Sequence, residues 1–278
     1  MISGRTALYG VLGHPVAHSL SPAMHNAAFA ALSMDAAYLA LDVRPESLAE
    51  AVRGAHALGF QGLNVTVPHK EKALGLCARV DPAARLVGAV NTLKRFPDGW
   101  EGHNTDAPAF KGLLAEAGLA RGARALVLGA GGAARAAAWA VLELSGTVRV
   151  AARRPETALA VCHGMARGLG KPGAAAEPAP WADAVHESER ADLVVNATSV
   201  GLAGRPGELP PLRWRAGQLA ADFVYGDTAF ARQAASAGAR LVTGERILLR
   251  QGALAFRLWT GRAPPEDVMA AALSTGGR

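Results

Sequence analysis

The chain has 278 residues, half of them hydrophobic and 19% charged, with a formal net charge of +6 and a sequence pI near 9.8. That length accommodates two compact domains or one large α/β domain, no apolar run approaches the roughly 18 residues of a membrane span, and Met1-Ile2-Ser3-Gly4-Arg5 lacks the pattern of a signal peptide. The basic residues are scattered with no Lys/Arg block exceeding two, which argues against nucleic-acid binding and suits a field that attracts anionic small molecules.

Thr6–Gly13 predicts a buried strand. The polar loop His14–Leu20 leads to Ser21-Pro22, read as an N-cap followed by a first-position proline, and a helix through about Leu32. Tyr38–Val43 predicts a second strand and Glu46–Leu58 a helix stopped near Gly59. In Gly62–Pro68, strand alternation puts Asn64 and Thr66 on one face, with His69-Lys70 following at once. That face reads equally as the wall of a wet cleft or as a solvent-facing strand. A short helix over Lys72–Leu76 comes next, then strands at Gly88–Leu93 and Trp100–Asn104 around a Pro97-Asp98-Gly99 turn. Thr105-Asp106 opens a helix ending near Gly118, with Asp106 placed to cap it and a domain boundary nearby.

From Arg124 the alternation of strand and helix is that of a parallel, doubly wound domain, with strands at Ala125–Leu128, Val148–Ala151, Leu193–Asn196, Ala220–Val224 and Arg240–Val242. Gly170–Pro180 reads as an irregular loop. Glu245–Gly261 predicts a helix, and Ala263-Pro264-Pro265 breaks the chain before a last short one. The first strand of this domain runs into Gly129-Ala130-Gly131-Gly132-Ala133-Ala134. In a dinucleotide-binding unit Gly129 allows the tight turn, Gly131 lets backbone approach a pyrophosphate, and Ala134 lets helix and strand sit close. The helix N-terminus offers unpaired N–H groups to the phosphates. About 20 residues beyond Gly129, where an acid would favour NAD, stand Arg153 and Arg154. Guanidinium groups suit a 2′-phosphate, so NADP is the expected cofactor.

His14 and His18 lie four apart in a proline-containing loop with no Cys or carboxylate cluster, so no metal site is expected. Cys77 and Cys162 are far apart and read as small buried hydrophobes of a cytoplasmic protein. Lysine is confined to Lys70, Lys72, Lys94, Lys111 and Lys171 against many arginines. A lysine retained where a proton must move makes chemical sense, because guanidinium does not deprotonate.

Seven segments together resemble the shikimate dehydrogenase family of the aromatic amino-acid pathway: Gly13–Asn26, Asn64–Lys70, Gly88–Thr92, Asn104–Asp106, Gly129–Ala133, Asn196–Gly201, and Gln251–Phe256 with Trp259–Gly261. They span nearly the whole chain in the family's order. The resemblance implies a two-domain α/β fold. An N-terminal substrate domain, 1–106, is completed by C-terminal helices, 246–278, and a Rossmann-type doubly wound nucleotide domain, 107–245, is inserted between them, with the substrate held in the cleft against the nicotinamide.

The resemblance further implies reversible NADPH-dependent reduction of 3-dehydroshikimate to shikimate, by a monomer or homodimer without nucleic-acid or membrane partners. Carried over by position, Lys70 and Asp106 are catalytic, Lys70 supplying the proton and stabilising charge while Asp106 orients the amine and a ring hydroxyl. Ser19 and Ser21 bind the substrate carboxylate. Asn64, Thr66, Lys70, Asn91, Asp106, Tyr225 and Gln251 contact its hydroxyls or reacting oxygen. Gly129, Ala130, Gly131, Gly132, Ala133, Arg153, Arg154, Thr198 and Gly244 contact NADP. Serine at both positions of the first motif favours shikimate over quinate.

The chain departs from the family pattern at Ala152-Arg153-Arg154, where Asn-Arg-Thr is usual, at Ile247, where methionine is frequent, and at Asp227, where proline is usual. The rival readings are a dehydrogenase of quinate or an amino-shikimate with relaxed specificity, and a non-catalytic nucleotide-binding regulator.

Overall fold

A computed structural model describes residues 2–166, 175–202 and 207–275. The chain divides into two compact units, Met1–Thr105 with Leu248–Arg278, and Asp106–Ile247. Asp106 therefore opens the second unit instead of closing the first.

The first unit contains β1 (Ala7–Gly13), α1 (Ser21–Ala31), β2 (Ala36–Asp42), α2 (Leu48–Ala57), β3 (Gly62–Val65), α3 (Lys70–Leu74), β4 (Arg79–Val80), α4 (Pro82–Val87), β5 (Thr92–Phe96) and β6 (Gly99–His103). The strands form one mixed sheet in the order β2-β1-β3-β5-β6-β4. β1 pairs parallel with β2 and β3, while β5 runs antiparallel to both β3 and β6. Alternation along β1 divides its side chains between two cores. Leu8 and Leu12 join Leu48, Val52, Leu63 and Trp100, whereas Tyr9 and Val11 join Met24, Phe29 and Tyr38.

Several boundaries differ from the sequence expectation. Leu20 is the N-cap of α1, so Ser21 lies inside the first turn and its hydroxyl is not the cap. A single 3₁₀ turn, Pro45–Ser47, precedes α2 where a continuous helix was expected. β3 stops at Val65, leaving Thr66 in the following turn, so Asn64 and Thr66 do not share a strand face. Lys70 opens α3, two residues earlier than anticipated. Gly88 holds a left-handed φ of 71° as the C-cap of α4, which delays β5 to Thr92. Neither β4 nor α4 was anticipated. The motif of α4 is local nonetheless: Asp81 accepts the N–H groups of Ala83 and Ala84 just before Pro82 begins the helix.

The second unit contains α5 (Asp106–Glu116), β7 (Arg124–Leu128), α6 (Gly132–Glu143), β8 (Thr147–Ala151), α7 (Pro155–Ala166), β9 (Ala175–Ala179), α8 (Ala184–Arg190), β10 (Leu193–Asn196), β11 (Leu219–Asp222), α9 (Ala229–Ser236) and β12 (Arg240–Val242). All six strands are parallel, in the order β12-β11-β10-β7-β8-β9. This is the doubly wound order with its switch point between β7 and β10, where the crevice for a ligand opens at the carboxyl ends of the strands. β9 corrects the expectation of a loop across Gly170–Pro180, whose residues 170–174 lie outside the described residues. The segment Ala-Ala-Glu-Pro-Ala has weak strand propensity, and Pro178 is tolerated because β9 is an edge strand, paired among the described residues with β8 alone. Asp106 lies in the first turn of α5, as its first residue and not as the residue before it.

The long helix α10 (Gly244–Thr260) passes from the second unit into the first, and α11 (Glu266–Thr275) follows. Phe256 of α10 and Met269 and Leu273 of α11 are buried in the core that holds Tyr9, Met24 and Phe29. Burying each such side chain contributes about 1.5–3 kcal/mol, so the C-terminal helices are structural parts of the first unit. Among the described residues no helix is long and apolar enough to cross a membrane.

Candidate functional site

In the first unit, segments distant in sequence bring a connected set of buried amides and hydroxyls together. Asn64, near the end of β3, donates from Nδ2 to Thr92 Oγ1 at 3.1 Å and to the Asn91 carbonyl at 3.2 Å. Its Oδ1 accepts the Tyr38 hydroxyl at 2.7 Å. Asn91 Oδ1 accepts the Thr105 N–H at 2.7 Å and the Thr92 hydroxyl at 3.0 Å. Asn91 Nδ2 donates to Thr105 Oγ1 at 3.0 Å and to Gln251 Oε1 at 3.4 Å. Gln251 is fixed from its other end, its Nε2 donating to the Leu248 carbonyl at 2.9 Å. Ser21, Asn64, Asn91, Thr92, Thr105 and Gln251 are all buried. So many polar groups out of water are sustained only because they satisfy one another, and the arrangement is correspondingly rigid.

Tyr38, like Thr92 and Thr105, is a member that sequence reading did not name as a site residue. Burial pushes its phenol well above the ordinary range, opposed by a hydrogen bond with Ser21. Ser21, which is not the expected cap, lies buried beside this phenol. His25 stacks on Tyr38, with ring centroids 4.5 Å apart and planes 13° from parallel. It is wholly buried, neither ring nitrogen has a hydrogen-bond partner among the described residues, and burial lowers its pKa to about 3, so it is a neutral imidazole. His25 belongs to the quoted N-terminal segment, but nothing in its spacing distinguishes it from a surface histidine.

Ser19 is half-buried, and its Oγ accepts the Ser21 N–H at 3.3 Å. Thr66 and Lys70 are also half-buried, at the turn that leads into α3. The Lys70 carbonyl accepts the Val90 N–H at 2.8 Å, which anchors the start of α3 one residue from Asn91. His69 is buried, with Nε2 donating to the Val43 carbonyl at 2.6 Å. Burial lowers its pKa as well. His14 pairs through Nδ1 with Asp42 at 2.8 Å, and among the described residues no group of His, Cys, Asp or Glu is arranged to hold a metal. Cys77 and Cys162 are free thiols whose pKa burial raises to about 11, which suits packing and not reaction.

In the second unit the glycine turn lies at the switch point. Gly129 has φ +106°, and a Cβ there would come within 2.8 Å of the Ala197 carbonyl oxygen, so the end of β10 presses directly on the turn. Gly131 differs: it is the N-cap of α6 at φ −86°, and a Cβ there would meet nothing within 4 Å among the described residues. Its missing side chain leaves open space in front of the first turn of a twelve-residue helix. Backbone N–H groups facing open space at a helix N-terminus are what a pyrophosphate requires, so the residues fit a dinucleotide. Ala130 follows the turn, while Gly132 and Ala133 form the first helical positions and Ala134 is buried against the sheet. Arg153 and Arg154 are exposed between β8 and α7, with no ion pair among the described residues.

Thr198 and Gly244 have structural duties of their own. The Thr198 hydroxyl donates to Asn196 Oδ1 at 2.7 Å and accepts the Val200 N–H at 3.0 Å. A Cβ at Gly244 would fall 2.5 Å from the carbonyl carbon of Val224, so close backbone approach alone demands glycine there. Tyr225 is half-buried in the loop after β11, and Asp106 is buried at the start of α5. Asp227, where the family pattern has proline, pairs with Arg232 of α9 at 2.7 Å.

The parallel sheet, its strand order and the turn define the class: an α/β protein with a Rossmann-type dinucleotide-binding unit. Residues 11–93 match the family model described as shikimate dehydrogenase substrate binding domain, and residues 244–273 that described as shikimate 5'-dehydrogenase C-terminal domain. A shikimate dehydrogenase (NADP(+)) of Anaeromyxobacter dehalogenans strain 2CP-C is 64% identical over 98% of both chains. The crystal structure of shikimate dehydrogenase from Aquifex aeolicus superposes with a TM-score of 0.87 at 34% identity, covering 98% of this chain and 99% of that one. That of the Thermus thermophilus enzyme in complex with NADP(H) and shikimate superposes with a TM-score of 0.80 at 39% identity, covering 97% and 99%. The chain belongs to the shikimate dehydrogenase family.

Proposed function

We propose that this protein is an NADP-dependent oxidoreductase that interconverts 3-dehydroshikimate and shikimate. The observation that carries the reading is the presence, in one family member, of both a turn that fits a dinucleotide and a buried amide–hydroxyl network built from Asn64, Asn91, Thr105 and Gln251. A polyhydroxylated ring needs such fixed donors and acceptors, because each of its hydroxyls must be matched when water is removed.

NADPH, when bound, supplies the hydride to the ring carbonyl carbon. Negative charge then grows on the ketone oxygen, and the Lys70 ammonium stabilises it and donates the proton that completes the hydroxyl. In the oxidative direction the same amine takes that proton back. The Asp106 carboxylate accepts a substrate hydroxyl and orients it. Ser19 and Ser21 donate to the substrate carboxylate. Asn64, Thr66, Asn91, Tyr225 and Gln251 hold the remaining hydroxyls, which fixes the reacting carbon in place. Gly129–Ala133 provide the backbone cradle for the pyrophosphate, with Thr198 and Gly244 beside it, and Arg153 and Arg154 select the 2′-phosphate of NADP. The protein works in the cytoplasm as a monomer or homodimer.

The test is the absorbance of reduced nicotinamide on mixing protein, shikimate and NADP. Turnover faster with shikimate and NADP than with quinate or NAD is expected. Faster turnover with quinate would favour the relaxed-specificity reading, and nucleotide binding without turnover on either acid would mark a regulator.

A further inference from the structure

In the second unit the strand ends beside the glycine turn are tied together by a carboxylate that the proposed chemistry leaves unused. Asp222 ends β11 in register with Asn196 at the end of β10, and both are buried. Asp222 Oδ1 accepts from Asn196 Nδ2 at 2.9 Å and from the Val224 N–H at 3.0 Å, while Oδ2 accepts the Thr228 hydroxyl at 2.5 Å. Asn196 Oδ1 accepts both the N–H and the hydroxyl of Thr198, at 3.2 and 2.7 Å, and the Thr198 oxygen accepts the Val200 N–H at 3.0 Å. Thr228 meanwhile caps α9 by accepting the Ala231 N–H at 3.0 Å. An ionised carboxylate only accepts, so it sets the direction of every bond in this chain.

Two loops depend on it. The loop after β10 begins at the Ala197–Thr198 peptide, which would touch a Cβ on Gly129. The loop after β11 carries Tyr225 and packs against the start of α10, where the Gly226 N–H donates to Glu245 Oε1 at 2.6 Å.

We propose that Asp222 is a positioning residue for the nicotinamide cofactor: buried and bonded only within the protein, it holds residues 197–200 against the dinucleotide turn and residues 224–228 against the start of α10 in one arrangement, so that cofactor affinity depends on its carboxylate. This rests on reading the turn as the NADP site. A purely structural purpose would favour an uncharged residue here. Burial, with the Glu245 charge adding to it against three hydrogen bonds, pushes the Asp222 acid up to about 6, so its ionised form is costly inside the fold at neutral pH. An amide in its place would turn an N–H toward the Thr228 hydroxyl, and the directions in the chain would no longer be set.

The experiment is titration calorimetry of NADP with Asp222→Asn, Thr228→Val and the double variant, alongside steady-state kinetics and thermal unfolding. Asp222→Asn is expected to raise the Kd for NADP about fivefold or more, within the ordinary range of coupling between a site and a residue that does not touch its ligand. Thr228→Val is expected to weaken NADP in the same sense. The double variant should fall short of the product of the two, since both remove one bond, and Thr228→Ser should restore parental affinity. Turnover at saturating NADP stays within about twofold. A Kd for NADP within twofold of the parent in Asp222→Asn and Thr228→Val would overturn the inference. So would a loss of affinity matched by collapse of the melting temperature in both. A parent protein without NADP affinity would overturn the cofactor reading itself and this inference with it.

Discussion

The Tyr38 hydroxyl donates to Asn64 Oδ1 at 2.7 Å, and that bond decides which way the Asn64 amide turns its N–H groups. Asn64 Nδ2 is thereby committed to Thr92 and to the Asn91 carbonyl, and the rest of the buried network follows from it. Tyr38→Phe keeps the ring against His25 but leaves Asn64 Oδ1 unsatisfied out of water. A loss of about 1–3 kcal/mol in folding stability is expected, measured by denaturant unfolding. The KM for shikimate should rise about tenfold, equivalent to about 1.4 kcal/mol, while the Kd for NADP stays unchanged.

The same substitution two residues apart should have opposite consequences for stability. Gly129→Ala places a methyl 2.8 Å from the Ala197 carbonyl at a φ that side chains avoid, so both folding and NADP binding should suffer. Gly131→Ala meets no atom of the described residues, at an ordinary φ. Its melting temperature should hold or rise slightly, as backbone entropy is removed from the unfolded chain, yet its NADP affinity should fall because the methyl enters the space the pyrophosphate needs. Calorimetry and thermal unfolding on the two variants check this directly.

Removing the amine at position 70 should separate binding from turnover. Lys70→Ala is expected to lower kcat by about 10²–10⁴-fold, the usual contribution of a general acid. Its Kd for NADP should remain that of the parent. Near-parental kcat in the purified variant would remove Lys70 from the chemistry.

Cofactor choice should reside at the β8–α7 turn. Arg153→Ala and Arg154→Ala, together or singly, should raise the KM for NADP and leave the KM for NAD almost untouched, because a guanidinium and a 2′-phosphate interact only when the phosphate is there. An unchanged ratio of the two in the double variant would place the discrimination elsewhere.

Asp222 makes a pH-dependent contribution to stability whose sign follows from its raised acid constant. Its folded-state value of about 6, against an ordinary 3.8, means that the folded chain binds this proton more tightly than the unfolded one. The contribution is therefore fully present below about 4 and is lost as pH rises through about 6, on the order of 3 kcal/mol in all. Parent stability relative to Asp222→Asn should fall between pH 4 and pH 7. Parallel unfolding curves of the two proteins across that range would contradict the assignment.

Short-range patterns were enough for most of the strand and helix order, though not for β4, α4 or β9. Alternating apolar residues in β1, the strand–turn–helix order around Gly129, and the motif spacing all act within a few residues of backbone, where dihedral limits and side-chain periodicity are decided. Asn64 was legible as one polar position of a strand that read equally as cleft wall or solvent face, and Asn91 and Gln251 became site candidates only through the resemblance to the family. Their partners were not legible. Tyr38 reads as one more aromatic in a strand, and Asn91 and Gln251 are 160 positions apart. β9 escaped notice because an edge strand bonded on one side needs little propensity of its own. Asp222 looked like the middle of a strand, and only the register of β10 against β11 turned it into a hub. Hydrogen-bond partnership is a property of three-dimensional proximity, so the residue types were determined along the chain, while which of them meet, and which charge lies buried among them, was decided by packing alone.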